Sequence, residues 1–412
     1  MIDRLSSVKQ SDLKPVILGG DAGAYALALE CYEAYGCKSI FVSNSPADIV
    51  TRSNIAELES IPVGISDDAL LAVLKGIAAV HHDKKLILLA NTDARAGFAA
   101  RVKSELAPQY VVPFPNEESI AKLCNKDSFA DACKAAGAKT PPQVVVDLSM
   151  GEAPSIPFDF PVVAKAASGD AYDRVSFDSK KKIYFIDEET ELDALWKNLR
   201  EAGYSDKFVV QETIPGHDSQ MVSLTLYVDS FGEVTLRSGA RVLLEDHSPA
   251  MVGNPVAMIT EVFPDLLDKA SQILKSADYR GFANFDIKID PRSNEAFFFE
   301  VNPRIGRNSY YVAAAGVNPM EVMIRDLVGG ERLTPMTAKE EVLYSLVPTS
   351  LILKYVDNES LKQKVEKLKN EGKVVSPLES DIETSKRRKA VVALQKLNYH
   401  RKFKQFFPKQ VG

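Results

Sequence analysis

The chain reads GFANFDIKIDPRSNEAFFFEVNPRIG over residues 281–306. Two runs of alternating apolar and polar residues flank a turn-forming stretch at residues 290–294, and this pattern predicts a β-hairpin. Successive side chains of a strand point to opposite faces, so Asp286 lies on one face of the first strand and Glu300 on one face of the second. If the turn is centred near Ser293, these two carboxylates oppose each other, where like charges destabilise a sheet.

A divalent cation with oxygen ligands would offset this repulsion. The carboxylates of Asp286 and Glu300 and the amide oxygen of Asn302 are ligand types that Mg²⁺ prefers. The alternative is a solvent-exposed hairpin face that is acidic without a metal. Three consecutive phenylalanines at residues 297–299 favour a largely buried strand. The segment therefore predicts a magnesium site.

The same segment is similar to part of a known family. Its pattern Gly-Phe-x-Asn-x-Asp, followed by Phe-Phe-Glu-Val-Asn-Pro-Arg, resembles the metal-binding end of the ATP-grasp ligases. The resemblance implies that Asp286, Glu300 and Asn302 hold Mg²⁺ against the triphosphate of ATP. It also implies that Arg304 stabilises the phosphoryl group while it is transferred.

The composition restricts the class of protein. A chain of 412 residues is too long for one compact core and predicts two or three domains. A net charge of −6 gives no reason to expect a nucleic-acid partner. The four cysteines lack metal-ligand spacing and are expected to be reduced. Residues 1–14 lack a signal-peptide core and no run of about 18 apolar residues occurs, so we expect a cytoplasmic protein without a transmembrane segment.

Residues 15–115 alternate between short apolar strands and helical segments, which predicts a parallel sheet with crossover helices. The first strand runs into Gly19-Gly20-Asp21-Ala22-Gly23. A dinucleotide-binding interpretation of this turn is loose, because the G-x-G-x-x-G spacing is absent, and a tight strand-to-helix turn is the plainer alternative. The ATP-grasp resemblance implies a Rossmann-like pre-domain here, whose glycine turn, with Gly20, contributes to the substrate site.

Two lysines are candidates for phosphate contacts. Lys165 ends an apolar strand beside the small-residue loop 166–170, whose backbone N–H groups could cover phosphates. This segment resembles the Pro-x-Val-x-Lys strand of ATP-grasp proteins, whereas the P-loop pattern is absent. Lys126 opens a predicted helix at the place where the family has a phosphate-binding lysine. An exposed lysine at a helix start is the alternative for Lys126.

The segment 208–218 resembles the adenine- and ribose-binding part of the family. The resemblance implies that the stretch with Gln211, Glu212 and Ile214 pairs with the adenine edge through its backbone. It also implies that Asp218, six residues after Glu212, takes the ribose hydroxyls. A planar carboxylate suits two vicinal hydroxyls.

Three more residues are candidates for contacts with the reacting groups. The guanidinium of Arg241, on a predicted strand, would offer a fixed fork of donors to a triphosphate or an acyl phosphate. An exposed strand arginine is the equal alternative for Arg241. Arg307 and Ser309 lie in a donor-rich turn before an alanine-rich helix, where anions bind readily. We expect both to face the carboxylate substrate.

These motifs define the predicted architecture, which is of the α/β and α+β class. A Rossmann-like pre-ATP-grasp domain spans residues 1–115, and an ATP-grasp domain that binds nucleotide and Mg²⁺ spans residues 116–335. A basic, largely helical C-terminal extension spans residues 336–412. The basic run 386–389 in this extension predicts a solvated face, and attraction of an anionic precursor or a membrane surface is the alternative.

The family resemblance implies an ATP-dependent carboxylate–amine ligase. The carboxylate of one small molecule is activated as an acyl phosphate and an amine then displaces phosphate, without a covalent enzyme intermediate. Within the family, the pre-domain and the tail look most like amino-acid ligases such as the D-aspartate ligases, which act on a peptidoglycan precursor. A dipeptide ligase and a carbamoyl-phosphate-synthase-like enzyme are alternatives of the same class. A catalytically idle ATP-binding module with a structural or regulatory role is an alternative of another class.

Overall fold

The structure of the protein is a computed structural model. It describes residues 12–124, 126–150, 155–167, 172, 174–178, 180–181, 183–249 and 251–407. Two compact units are present, the first formed by residues 1–138, 217–287 and 300–412 and the second by residues 139–216 and 288–299. The sequence analysis divided the chain into three domains, with boundaries at residues 115 and 335. The two compact units do not coincide with these domains, and the three-domain division remains a proposal.

A five-stranded parallel sheet opens the first unit. Its strands are β1 (Leu13–Leu18), β2 (Ser39–Ser43), β3 (Ala56–Ser60), β4 (Lys85–Ala90) and β5 (Tyr110–Val111). Their order in the sheet is β3-β2-β1-β4-β5, and β1 pairs in parallel with both β2 and β4. The predicted alternation of strands and helices is therefore confirmed. The carboxyl ends of β1 and β4 meet where the strand order reverses, which is where α/β sheets form binding crevices.

One strand of this sheet was not predicted. β3 reads Ala-Glu-Leu-Glu-Ser and lies at the sheet edge, and most of its side chains are exposed. An exposed edge strand carries no apolar run, so the pattern that reveals buried parallel strands is missing from it.

The second unit contains a four-stranded antiparallel sheet. Its strands are β6 (Gln143–Asp147), β7 (Val162–Ala166), β8 (Tyr184–Ile186) and β9 (Lys207–Glu212), in the order β6-β9-β7-β8. The helix Glu189–Glu201 buries Trp196 against Phe208 of β9, with ring centroids 5.5 Å apart and an edge-on geometry. Such aromatic contacts contribute beyond the area they bury. They form the core of this unit with the apolar faces of the strands.

An eight-stranded sheet carries the predicted hairpin. Its strands are β10 (Met221–Val228), β11 (Val234–Asp246), β12 (Asn254–Thr260), β13 (Gly281–Ile289), β14 (Ala296–Asn302), β15 (Met336–Thr337), β16 (Leu343–Ser345) and β17 (Val374–Val375). The order is β14-β13-β10-β11-β12-β16-β17, and β15 pairs with β11. The neighbouring strands β13 and β14 are the arms of the hairpin read from the sequence.

Helices cover the sheets of the first unit. They are Ala22–Tyr35, Asp48–Thr51, Asp67–Val80, Asp93–Arg101, Lys103–Leu106, Glu117–Cys124, Lys126–Ala135, Pro264–Ser276, Tyr310–Ala314, Pro319–Leu327, Thr349–Tyr355, Glu359–Asn370 and Lys386–Phe406. The four cysteines are free, as expected. In the part of the chain that the structure describes, no helix is both long enough and apolar enough to span a bilayer.

The first helix, Ala22–Tyr35, shows how local sequence sets an element. Asp21 caps it, because its side chain accepts a hydrogen bond from the backbone N–H of Ala24 at 2.8 Å. Gly36 ends it with φ of 67°, a left-handed conformation that glycine adopts without strain. The helix is buried over most of its length because it packs against both the parallel sheet and the helix Pro319–Leu327.

The C-terminal basic run is only partly a solvated face. Lys386, Arg387 and Lys389 are exposed, but Arg388 is fully buried. Its guanidinium donates to the carbonyl oxygens of Ile49 and Leu378, each at 2.9 Å, and covers the ring of Tyr25. The expectation of a solvated run is therefore wrong for Arg388.

A buried carboxylate accompanies Arg388. Glu383 lies 3.6 Å from its Nε and accepts hydrogen bonds from Tyr25 at 2.9 Å and from the backbone of Asn54 at 3.0 Å. Charged groups this deeply buried are tolerated only when they are paired and hydrogen-bonded. The pair thus fastens the C-terminal segment to the parallel-sheet region.

We predict that Arg388→Met destabilises the protein by about 3–5 kcal/mol, because it leaves the Glu383 charge buried without its cation. The change in the free energy of unfolding is measured by urea denaturation, monitored by circular dichroism. Arg387→Met is the matched control, and removal of this exposed neighbour should alter the stability by less than about 0.5 kcal/mol. Equal stabilities of the two variants would contradict the role of Arg388.

The last helix also contacts the end of β11. Phe407, which follows the helix, packs edge-on against His247 with centroids 5.1 Å apart, and Lys402 lies 3.0 Å from the buried Asp246. His247 Nε2 lies 3.0 Å from a carboxylate oxygen of Asp218. Burial lowers the pKa of His247, but the hydrogen bond and charge of Asp218, together with the charge of Glu245, outweigh it and raise the pKa above its usual value.

The raised pKa makes stability depend on pH. The stabilisation from protonated His247 is fully present below the unfolded pKa of about 6.5 and is lost as the pH rises through the higher folded value. We expect His247→Gln to lower the melting temperature more at pH 5.5 than at pH 9. The exposed His400, on the same helix as Lys402, supplies the control His400→Gln. If His247→Gln lowers the melting temperature equally at both pH values, the charged His247–Asp218 pair is ruled out.

Candidate active site

The predicted acidic hairpin brings three of the candidate side chains together. Asp286 is partly buried on β13, and Asn302 is buried at the end of β14. The amide of Asn302 donates to Asp286 Oδ2 at 3.1 Å, and the amide of Asn284 donates to Oδ1 at 3.3 Å. Glu300 is exposed on β14, close enough for its charge to act on Asp286.

The electrostatics of the hairpin favour a bound cation. Burial raises the pKa of Asp286 to about 7, and the negative charge of Glu300 acts in the same direction. Arg304 and the Asn302 hydrogen bond lower it without cancelling the shift. The negative charges of Asp286 and Glu300 are therefore only partly balanced by neighbouring groups. Carboxylate oxygens are hard ligands, which Mg²⁺ prefers.

The donor set is small. Among the described residues, no group of three or more His, Cys, Asp or Glu side chains could hold a metal ion. A metal at the hairpin would therefore draw on the carboxylates of Asp286 and Glu300 and the amide oxygen of Asn302. Sites that bind Mg²⁺ through one or two carboxylates together with substrate phosphates are common. The residues present fit such a site.

Arg304 follows the hairpin and points toward an acid of the parallel-sheet region. Its Nε lies 2.9 Å from Asp93 Oδ1, an ion-pair distance, although the N–H is not directed at the oxygen as in a hydrogen bond. Nη2 donates to Asn302 Oδ1 at 3.3 Å, and 12% of the side chain is exposed. Arg304 thus lies beside the carboxylate cluster, with its guanidinium held from two sides.

Arg307 meets the turn after β1. One of its terminal nitrogens is ion-paired with Asp21 Oδ2, while Asp21 Oδ1 accepts a hydrogen bond from Asn91 at 3.1 Å. Gly20 precedes Asp21 in a turn that only glycine fits, because a Cβ there would lie 2.7 Å from the Pro46 Cα. Burial lowers the pKa of Arg307. The two predicted substrate residues Gly20 and Arg307 are therefore close together.

Ser309 takes part in a different contact. It is fully buried, and its hydroxyl donates to Glu30 Oε1 at 2.7 Å. Burial raises the pKa of Glu30 well above its usual range. The Ser309 side chain is thereby directed into the interior, where it anchors the turn that carries Arg307.

The second unit holds the candidates for adenine and phosphate contacts. Lys165 is partly buried near the end of β7, opposite Val209 of β9. Gln211 is buried and donates to the Gln143 side chain at 2.9 Å, and Ile214 is also buried. The backbone N–H of Glu212 donates to the Pro142 carbonyl at 2.9 Å. The side chain of Lys126 and residues 168–170 of the predicted phosphate loop lie outside the described residues.

Asp218 and Arg241 are each held by another side chain of the first unit. Asp218 accepts the Glu245 N–H at 2.8 Å in addition to the His247 contact. Arg241 donates to Glu261 at 3.1 and 3.4 Å, and to the Ser219 carbonyl at 3.3 Å. A carboxylate has about four acceptor sites and a guanidinium five donors, so both retain capacity for a ligand.

Several site residues escaped the sequence analysis. Asp21 and Asp93 pair with the two arginines, Asn91 donates to Asp21, and Glu30 accepts the Ser309 hydroxyl. The signal for the first three was available, because they lie within three residues of the ends of β1 and β4, and such positions form crevices in α/β sheets. Glu30 looks like an ordinary helix acid, and only the fold reveals that it is buried.

Comparison with known proteins extends these observations. Residues 241–334 match the family model described as the ATP-binding domain of the carbamoyl-phosphate synthase L chain. The chain is 30% identical over 423 residues to a D-aspartate ligase from Enterococcus faecium, covering 99% of this chain and 100% of the relative. A carbamoyl phosphate synthase large chain from Thermoanaerobacter pseudethanolicus is 20% identical, and the match covers 80% of this chain but only 31% of that protein.

A solved structure shows the same fold. The L-amino acid ligase from Bacillus licheniformis superposes with a TM-score of 0.54 at 16% identity, covering 78% of this chain and 75% of that one. The full-length match to the D-aspartate ligase is the stronger evidence, because it spans both proteins from end to end. The chain belongs to the ATP-grasp ligase family and is an ATP-dependent enzyme that joins a carboxylate to an amine.

Proposed function

We propose that the enzyme activates D-aspartate as an acyl phosphate and joins it to an amine of a peptidoglycan precursor. The observation that carries this substrate choice is the 30% identity to a D-aspartate ligase along the whole of both chains. The carbamoyl-phosphate-synthase-like alternative has weaker support, because that relative is matched over only 31% of its length.

In this proposal Mg²⁺ is held by Asp286, Glu300 and Asn302. The raised pKa of Asp286 supports the assignment, since a cation would relieve the repulsion between the two carboxylates. The bound ion would neutralise charge on the triphosphate of ATP.

Nucleotide contacts are assigned to the remaining candidates. Lys126 and Lys165 contact phosphates, and the backbone of the segment with Gln211, Glu212 and Ile214 pairs with adenine. Asp218 accepts ribose hydroxyls with the lone pairs that Glu245 and His247 leave available. Each contact uses a group whose chemistry matches the part of ATP that it meets.

The reaction has two displacements. A carboxylate oxygen of D-aspartate attacks the γ-phosphorus, and the bond to the bridging oxygen breaks to release ADP. The amine nitrogen then attacks the acyl carbon, phosphate leaves, and the amine proton passes to solvent. No side chain needs to form a covalent intermediate, so catalysis rests on positioning and on charge neutralisation.

Three arginines have separate tasks in these steps. Arg304, beside the hairpin carboxylates, stabilises the charge that grows on the transferring phosphoryl group. Arg307 binds a substrate carboxylate, with Ser309 anchoring its turn through Glu30. Arg241, oriented by Glu261, offers its remaining donors to the acyl phosphate. Guanidinium groups suit these tasks because their planar fork matches carboxylate and phosphate oxygens.

The metal assignment predicts that Glu300→Gln, which keeps the shape but removes the charge, lowers turnover at least about a hundredfold, or about 2.7 kcal/mol of barrier. The turnover of the variant and of the wild-type enzyme is measured as steady-state ADP release at saturating Mg²⁺. The control is Glu295→Gln, which removes another exposed carboxylate of the same hairpin. Glu295 pairs with Lys139, which lies outside the hairpin. Near-normal turnover of Glu300→Gln would contradict metal ligation by Glu300.

The substrate assignment predicts ADP release that requires both D-aspartate and a lysine side-chain amine. Replacing D-aspartate by L-aspartate should lower the rate at least about tenfold, equal to about 1.4 kcal/mol. An enzyme assay over both aspartates, both glutamates, D-alanine and bicarbonate, each with and without a lysine-bearing precursor peptide, tests this. Rates that are highest with bicarbonate would contradict the proposal and favour carbamoyl-phosphate chemistry. The Glu300→Gln variant supplies the background rate.

A further inference from the structure

The carboxyl ends of β1 and β4 hold two acid–arginine pairs. Asp21, after β1, is paired with Arg307, and Asp93, after β4, lies 2.9 Å from Arg304. Both arginines come from the turn after β14, so the crevice at the reversal of strand order contains two positive and two negative groups. In this state each charge is satisfied by another charge of the protein.

Substrate binding must rearrange one of these pairs. A carboxylate that binds Arg307 in place of Asp21 would leave Asp21 Oδ2 without its cation. The Asp21 side chain is only 35% exposed, so water replaces the lost partner incompletely. The other oxygen is already used by the Ala24 N–H and the Asn91 amide. The loss would oppose the binding of any simple carboxylic acid.

We propose that Asp21 binds the ammonium group of an amino-acid substrate while Arg307 binds its carboxylate. The substrate, a zwitterion, exchanges partners with the Asp21–Arg307 pair, so that both protein charges remain satisfied. This inference rests on the proposed function for the carboxylate role of Arg307, and it adds the group that selects amino acids over other carboxylic acids.

The local geometry supports this exchange. Gly20 carries no side chain beside Asp21, and Gly23 lies so close to the Arg307 backbone that a Cβ would be 2.9 Å from the Arg307 carbonyl oxygen. The backbone is therefore closely packed around both partners, while 29% of the Arg307 side chain and 35% of the Asp21 side chain remain exposed. Both charged groups are thus partly accessible from solvent.

The specificity follows from the same charges. A diacid with an ammonium group satisfies Asp21, whereas the same diacid without it does not. Sites built to bind a polar group reject analogues that lack it, and partial exposure of Asp21 reduces this rejection to roughly 10- to 100-fold. Asp21 is thus a binding residue that discriminates between substrates and takes no part in phosphoryl transfer.

The test compares D-aspartate with succinate, which is aspartate without its amino group. Dissociation constants for the full-length protein are measured by ligand-observed NMR with ADP present. The wild-type protein should bind D-aspartate roughly 10- to 100-fold more tightly than succinate. Asp21→Asn retains the helix cap, because Asn also accepts the Ala24 N–H, but removes the charge. It should reduce the preference to within about threefold by weakening D-aspartate binding.

A matched control is Asp67→Asn. Asp67 also begins a helix of the parallel-sheet region and pairs with Arg101 at 2.6 Å, but both side chains are half exposed. This variant should keep the wild-type preference. The inference is overturned if Asp21→Asn weakens both acids equally, if it leaves the preference unchanged, or if the wild-type protein binds neither acid. Failure of the proposed function shows separately, as absence of ADP release with every acid and amine.

Discussion

The contact between two arginines after the hairpin and two acids after the parallel strands organises the first unit. Arg304 and Arg307 lie within one turn. Arg304 pairs with Asp93 and Arg307 pairs with Asp21, and the two acids lie beyond the ends of adjacent strands. The Arg304 side chain is 12% exposed and the Arg307 side chain 29% exposed, whereas Asp93 faces solvent, so loss of either acid would leave a largely buried guanidinium without its partner. The turn after β14 is therefore held in one position, and with it the end of the acidic hairpin.

Further polar contacts extend this constraint along the first helix. Asp21 caps the helix, Glu30 accepts the hydroxyl of Ser309, and Tyr310 donates to Glu33 at 2.8 Å. Three acids of one helix thus hold consecutive parts of the turn that carries Arg307. The C-terminal segment adds a second fastening through Arg388 and Glu383, far along the chain. The buried contacts among these, Ser309 with Glu30 and Arg388 with Glu383, specify a single arrangement, because slippage would leave a buried group unpaired.

The sequence predicted the elements whose patterns are local. The alternation around Asp286 and Glu300 revealed the hairpin, and apolar runs revealed the buried parallel strands. The same rules missed β3, because an edge strand with exposed acids lacks an apolar run. They also placed Arg388 on a solvated face, since a run of four basic residues contains no sign that one of them turns inward. Burial depends on what packs against a residue. For Arg388 one such partner is Ile49, which lies more than 300 positions away in the sequence.

The sequence by itself determined that carboxylates, an amide and an arginine cluster in residues 286–304 and that a glycine turn follows the first strand. Those features follow from strand periodicity and turn geometry, which act over a few residues. Only the tertiary structure decided which charges meet. The pairing of Arg307 with Asp21, of Arg304 with Asp93 and of Ser309 with Glu30 joins positions that are far apart in sequence. Such pairs arise when the sheets and helices pack, because packing brings distant charges together and removes the water that would otherwise solvate them.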